Sequence, residues 1–465
     1  MKRPTRIGRA LAAGWILAVL AQATIACQDD GAAANSDASA SQDAAAGDGA
    51  ASDATADDDA SGQDGAGDEG DAASATDGTT VGADAGGDGA VGGPGAHVID
   101  VKAPQVLSTD DAGKTGELLF EIPANIAGFA LTATAEAKVY LAFEGLANPA
   151  GDDLAPLGWI EKDFSTGGQM CLSCKVRVAP QQGSAAILVP NAPGVEPSAG
   201  TWTVRVRAWT QSGGGGFTAP KKTPFKGNVG VTLALQPGPL TSFGRIDLNL
   251  FWSGADGITA ASAATDAKVA GWIQRYGELY AQAGITVGTV RHFDLPPGYQ
   301  VVDAMDATNG GFAGVSALVQ DAPPGLTMVM VREITSPFAG MGAVLGVSGG
   351  IPGPVAVPGA ARALVLVAVP DLPGGFGRPA TPHDVGLTMA HEGGHYLGLF
   401  HSSENDFGGF GPKIHDPLLD TPEKDDTNLM YFDGGSGGAK ISPQQAAVLR
   451  TNPWVQLLTS AGGQP

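Results

Sequence analysis

Eleven consecutive residues, His391-Glu392-Gly393-Gly394-His395-Tyr396-Leu397-Gly398-Leu399-Phe400-His401, hold three imidazoles, a carboxylate and a glycine at spacings that suit a metal ion. On a helix of about 3.6 residues per turn, positions i and i+4 share a face, so His391 and His395 can offer ring nitrogens to one tetrahedral cation. Gly398 can adopt the left-handed conformation that ends a helix, which lets the chain turn back and bring up His401 as a third ligand. Three histidines with the fourth position left open describe a catalytic zinc site.

Glu392 follows the first ligand directly, within reach of a water in that fourth position. Zinc lowers the pKa of such a water toward neutrality and polarises a carbonyl, so the carboxylate can take the proton and pass it to a leaving amine. The chemistry implied is peptide-bond hydrolysis, with Glu392 as general base and then general acid. An accidental H-E-x-x-H pentapeptide occurs on surface helices; the glycine and third histidine at +3 and +6 set this one apart. Asn428-Leu429-Met430-Tyr431 lies about 29 residues beyond His401. A methionine there would ordinarily be core packing, but behind a complete ligand set it has the place of a methionine turn beneath the metal.

On these residues the chain resembles the metzincin clan of metallopeptidases from roughly Phe243 to the C-terminus. The resemblance implies that His391, His395 and His401 bind zinc, that Glu392 is the acid/base, and that Met430 is the structural methionine. Asp420-Thr421-Pro422 and the segment Ile441-Ser442-Pro443-Gln444-Gln445, which opens a closing helix, are similar to pappalysin-like bacterial enzymes. Those carry a tyrosine two places after the methionine, where this chain has Phe432; Tyr431, directly after Met430, is more like the matrixins. No tyrosine contribution to the zinc or the oxyanion is carried over.

Several elements must position this set. A strand is expected at Arg245 to Trp252, then a helix from about Ala264 to Ala283 whose Val269, Ile273, Tyr276 and Tyr280 recur at helical spacing, with Asp266 in its first turn. Further strands are expected at Ile285 to Phe293, Leu326 to Ile334 and Ala363 to Val369. This order fits the resemblance, which implies an α+β catalytic domain over residues 243–465 with a twisted mixed sheet, zinc helix, Met-turn and C-terminal helix. The zinc helix is expected to start at Thr381-Pro382 with Asp384 reaching back as a capping box. Glycine and proline between Gly340 and Gly359 read as a long loop, lining the cleft or serving as a linker.

Upstream, short alternating runs at Glu117 to Ile122, Ala137 to Phe143, Lys175 to Val178, Ala186 to Val189, Thr201 to Trp209 and Val229 to Leu235 predict an all-β sandwich over residues 97–240. Trp202, Val204 and Val206 should face inward and the intervening arginines outward. The approach Pro197 to Trp202 is similar to small β-sandwich modules beside secreted peptidases. Cys171 and Cys174 read as a local disulfide, because a structural zinc would need two more ligands and none is near. A redox C-x-x-C or a thiol latch on the metal are the weaker alternatives. Asp111-Ala112-Gly113-Lys114-Thr115 lacks the first glycine of a phosphate loop, which argues against nucleotide binding.

The ends of the chain say where such chemistry would happen. Lys2, Arg3, Arg6 and Arg9 precede an apolar run to Ala26, so residues 1–26 read as a signal peptide. Thr24-Ile25-Ala26-Cys27 resembles the bacterial lipobox, which would make Cys27 the lipidated first residue and anchor the chain to a membrane of the bacterial cell envelope; the alternative is simple secretion. Residues 28–96 carry 16 acids, no Lys or Arg and no aromatic residue, and cannot fold by apolar burial. As a flexible tether they span about 45 Å. They supply 16 of the 22 net negative charges, so acidity belongs to the tether, and nucleic-acid partners are excluded.

Acids crowd between the third histidine and the methionine, and Asp416, Asp420 and Asp425 could hold a structural Ca2+ ion or belong to a solvated loop. The function expected is an extracytoplasmic zinc endopeptidase acting on protein or peptide substrates. The alternatives are a non-enzymatic surface binding or adhesion lipoprotein whose metal is structural, and a latent enzyme restrained by its upstream domain.

Overall fold

Alternation along the buried strands sorts side chains onto the two faces of a central sheet. Ile246, Leu248, Leu250 and Trp252 join one core with Met328, Met330, Val365 and Val367. Phe251, Val329, Val331, Leu366 and Ala368 join another on the opposite face. The computed structural model describes residues 26–28, 99–163, 170–212, 221–304, 311–335, 344–370, 383–404, 414–432 and 438–460. The tether, Thr381 and Pro382 lie outside them.

The central sheet runs in the order Ile285–Asp294, Phe243–Trp252, Leu326–Val331, Val365–Ala368, Val344–Ser348, Glu333–Thr335, Val301–Asp303. The first four strands pair in parallel, and Val344–Ser348 runs antiparallel to Val365–Ala368. Against one face pack the helix Ala267–Ala281 and the motif helix Val385–Tyr396, tied by the Tyr280 hydroxyl donating to the Ala390 carbonyl at 3.2 Å. Phe312 and Val315 of the helix Phe312–Leu318 cover the other face. Asp266 stands at the N-cap of its helix, one position before the first turn, and accepts from the Lys268 and Val269 amides.

Two expectations are corrected here. The motif helix begins at Val385, with Asp384 as its N-cap accepting from Leu387 N at 3.0 Å. The stretch read as a Gly/Pro loop contains the strand Val344–Ser348, buried throughout. Its glycine is an element of packing rather than a breaker.

The upstream half has two antiparallel sheets facing one core. One contains Lys221–Pro224, Gly200–Ser212, Tyr140–Ala147 and Asp153–Ala155, joined by Leu118–Ile122 and Gln181–Gln182; the other contains Asp100–Val101, Asn228–Pro237, Ile126–Thr134 and Ser184–Val189, joined by Gln105–Ser108. Trp202, Val204 and Val206 are buried, and Trp202 meets Phe129 edge to face at 5.0 Å between ring centroids. Lys175 to Val178, expected as a strand, is loop: it lies between the disulfide and a side-chain clasp in which Asn191 bonds both the N–H and C=O of Arg177.

The strand Ile126–Thr134 had no counterpart in the expected elements. Its second face is buried too, with Ala130, Leu188 and Ala234 of this sheet joining the core beneath the motif helix. The described residues of the two halves accordingly fall in one compact unit. Gln236 Nε2 donates to the carbonyls of Val455 and Arg450 at 2.6 and 3.0 Å, and Val355 N donates to Thr132 Oγ1 at 3.1 Å. Among the described residues no helix is long and apolar enough to cross a membrane.

Candidate metal centre

The motif helix presents His391 and His395 one turn apart, and Gly398 at φ +114° turns the chain away from it. The helix end is closed by Leu397 N donating to Gly393 O and Leu399 N to Gly394 O, both at 2.9 Å. His401 then returns toward the helix. Its Nε2 lies 3.2 Å from that of His391 and 3.0 Å from that of His395, and the first two are 3.2 Å apart. All three are buried, and they form the only such group of potential ligands among the described residues.

Hydrogen bonds set the tautomers. His391 Nδ1 donates to the Leu429 carbonyl at 2.6 Å, and His395 Nδ1 to the Leu399 carbonyl at 2.7 Å. A carbonyl only accepts, so each Nδ1 carries the proton and each Nε2 keeps its lone pair for the shared point. Burial, reinforced by charge repulsion from His401, pushes the His391 imidazolium down to about 3 and that of His395 well below its ordinary value. Both rings are therefore neutral near pH 7, as metal ligation requires.

Three imidazole nitrogens meeting at one point are the donor arrangement of a metal site. Tetrahedral bonds of about 2.0–2.1 Å would hold the nitrogens about 3.4 Å apart, close to the spacing found. The donor set, three imidazoles, suits zinc.

Met430 lies beneath the motif helix, its Sδ 2.7 Å from where a Cβ at Gly394 would stand. The turn is held by Asn428 Oδ1, which accepts from Met430 N at 2.8 Å, while Asn428 and Gln445 exchange two side-chain hydrogen bonds of 3.0 Å. Gln445 belongs to the closing helix Pro443–Thr451, whose Ser442–Gln445 capping box fixes its start. Phe432 and Tyr431 lie against each other, with centroids 4.7 Å apart.

Glu392 is buried on the same helix, facing the strand Val344–Ser348. A Cβ at Gly346 would come within 2.5 Å of Glu392 Cγ and 2.8 Å of Thr388 Cγ2, so only glycine admits the carboxylate at this distance from the sheet. The strand pairs with Val365–Ala368 on one edge; on the other, Val344 pairs with Ile334 of Glu333–Thr335, and the short segment Ala26–Gln28 pairs antiparallel, Ala26 opposite Val347 and Gln28 opposite Val344.

The remaining sequence candidates are apart from this centre. Cys171 and Cys174 are joined by a disulfide, Cα atoms 5.5 Å apart. Asp416 accepts from Thr421 Oγ1 and Leu418 N, Asp420 from Ser442 Oγ and Gln444 N, and Asp425 from Thr427 N and Oγ1. These carboxylates brace turns and the start of the closing helix. Sequence reading missed the carbonyls of Leu399 and Leu429, which carry no side-chain signal, and Gly346.

No described protein family matches the chain, and no curated protein does. Among solved structures, metalloproteinase-II from Bacteroides fragilis aligns at TM-score 0.25 and 15% identity over 46% of this chain. The chain spans 57% of the length of that protein. A family two carbohydrate esterase from Clostridium thermocellum aligns at TM-score 0.14 and 8% identity, over 50% of this chain and 74% of that one. The corresponding enzyme from Cellvibrio japonicus aligns at TM-score 0.11 and 12% identity, over 50% and 67%. At such scores these similarities carry no argument, and function must be argued from the site.

Proposed function

We propose that the protein is a zinc-dependent endopeptidase, related to the metzincins, that acts on proteins or peptides outside the cytoplasm. The observation that carries this is the convergence of three buried Nε2 atoms at 3.0–3.2 Å, two of them on a helix that also carries the buried Glu392, next in sequence to His391. A purely structural site has no use for a neighbouring base.

His391, His395 and His401 would hold a zinc ion, which would supply Lewis acidity toward a carbonyl and a bound water. Glu392 accepts the proton of the attacking water and delivers it to the amide nitrogen as the C–N bond breaks. Leu429 and Leu399, through their carbonyls, keep both imidazoles in the tautomer that ligates. Export fits the charged, apolar start of the chain and the acidic tether; anchoring through Cys27 belongs to the same proposal.

The test is digestion of unfolded proteins and a peptide library by the purified full chain, with products mapped by mass spectrometry. Glu392→Gln should keep one zinc per chain and lose activity by about 10²–10⁴-fold. Full activity in that variant would remove Glu392 from the chemistry. Absence of stoichiometric zinc in the native protein would remove the reading altogether.

A further inference from the structure

Two of the three ligands are placed by a helix, but His401 lies beyond its end and needs other support. Ser402 N donates to the Met430 carbonyl at 2.8 Å on one side. On the other, Ser403–Glu404 pairs with Ile414–His415, Ser403 opposite His415. Two further supports involve the upstream β half. Phe400, directly before the ligand, is buried with Met170, Ala179 and Ile351, the first two flanking the disulfide loop. Arg177 from that loop reaches across: Nη2 donates to the His415 carbonyl at 2.6 Å and Nη1 to the Cys171 carbonyl at 3.1 Å. The arginine is itself held, Asn191 accepting from its N–H at 3.0 Å and donating to its C=O at 2.9 Å.

We propose that the disulfide loop of the upstream half is a clamp on the third metal ligand, with Arg177 as the positioning residue and the Cys171–Cys174 bond fixing the carbonyl on which its other arm rests. The proposal rests on the metal-site reading above and extends it: the upstream half completes the centre rather than standing beside it. The physical reason is entropy. A ligand on a mobile hairpin must be ordered at the moment of binding, whereas a clamped one is ordered beforehand. A planar guanidinium can bridge two carbonyls in fixed directions; a lysine ammonium in its place is a flexible point charge.

The experiment uses the full chain, depleted of metal and reloaded with zinc or cobalt. Chelator competition measures affinity, cobalt visible absorption reports ligand geometry, and thermal unfolding is followed with and without metal. Arg177→Ala should weaken zinc binding about 10–100-fold, the range found when groups supporting a ligand are removed. It should also alter the cobalt spectrum and leave metal-free unfolding close to wild type. Arg177→Lys should fall between the two. The double variant Cys171→Ser/Cys174→Ser tests the same clamp without touching the arginine and should weaken zinc binding in the same direction. Wild-type affinity and an unchanged cobalt spectrum in Arg177→Ala would overturn the proposal. So would equal loss of stability with and without metal, because a clamp on the ligand must change the metal-linked part. A wild-type protein that binds zinc tightly yet cleaves no peptide would refute the peptidase reading and leave the clamp standing.

Discussion

His391 and His395 each do two jobs with their two nitrogens: Nδ1 is spent on a backbone carbonyl, and Nε2 is left for the proposed metal. Their types and spacing were readable in the sequence; the carbonyl partners were not, because any residue supplies a carbonyl. Asp416 illustrates a different outcome. Burial pushes its carboxyl up to about 6 from an ordinary value near 3.8. A folded pKa above the unfolded one means that the native state holds the proton more tightly, so the contribution is complete below about 3.8 and is lost as pH rises through 6. Asparagine keeps the oxygen that accepts from Leu418 N and Thr421 Oγ1 but has no charge to bury. Asp416→Asn should therefore unfold like wild type near pH 4 and be more stable at pH 7.5, by of the order of 2 kcal/mol. Denaturant titrations at the two pH values check this; a gain confined to low pH would refute it.

The elements succeed where one pattern dominates a segment. The helix Ala267–Ala281 was legible from Val269, Ile273, Tyr276 and Tyr280, buried except for the partly buried Ile273, because a helix with one apolar face writes a period of 3.6 into its sequence. The strand Val344–Ser348 was not, because a glycine inside a buried run resembles a turn until one sees the Glu392 side chain that needs the space. Gly346→Ala places a Cβ 2.5 Å from Glu392 Cγ, a clash at the base of the side chain that no rotamer of its tip can relieve. We expect a loss of about 1–3 kcal/mol in stability and at least a tenfold fall in peptidase activity with zinc retained. Chemical denaturation with metal analysis tests it, and unchanged activity would remove this strand from the positioning of Glu392.

In the molecule as a whole the two halves share a core. Ala130, Leu188 and Ala234 of the upstream sheet lie in the apolar cluster that also holds Met389, Leu397 and Met430 of the metal centre. Gln236 bonds the carbonyl of Arg450 in the closing helix and that of Val455 just beyond it, and Gly128 leaves room for Thr451. A chain starting at residue 241 would expose that apolar face and lose those partners. It should aggregate or bind a hydrophobic dye, whereas residues 97–465 should unfold in one transition by calorimetry. A soluble 241–465 fragment with wild-type zinc affinity would contradict both this and the clamp.

That His391, His395 and His401 could share one point was legible in one dimension, because helical spacing and chain order constrain residues close in sequence. The support of His401 was not. Arg177 and His415 are 238 positions apart, and Gly346 and Glu392 meet across a sheet-to-helix contact. No local period encodes such encounters; they exist once both faces of the Ile126–Thr134 strand are buried and the upstream sheet is pressed against the metal-bearing half.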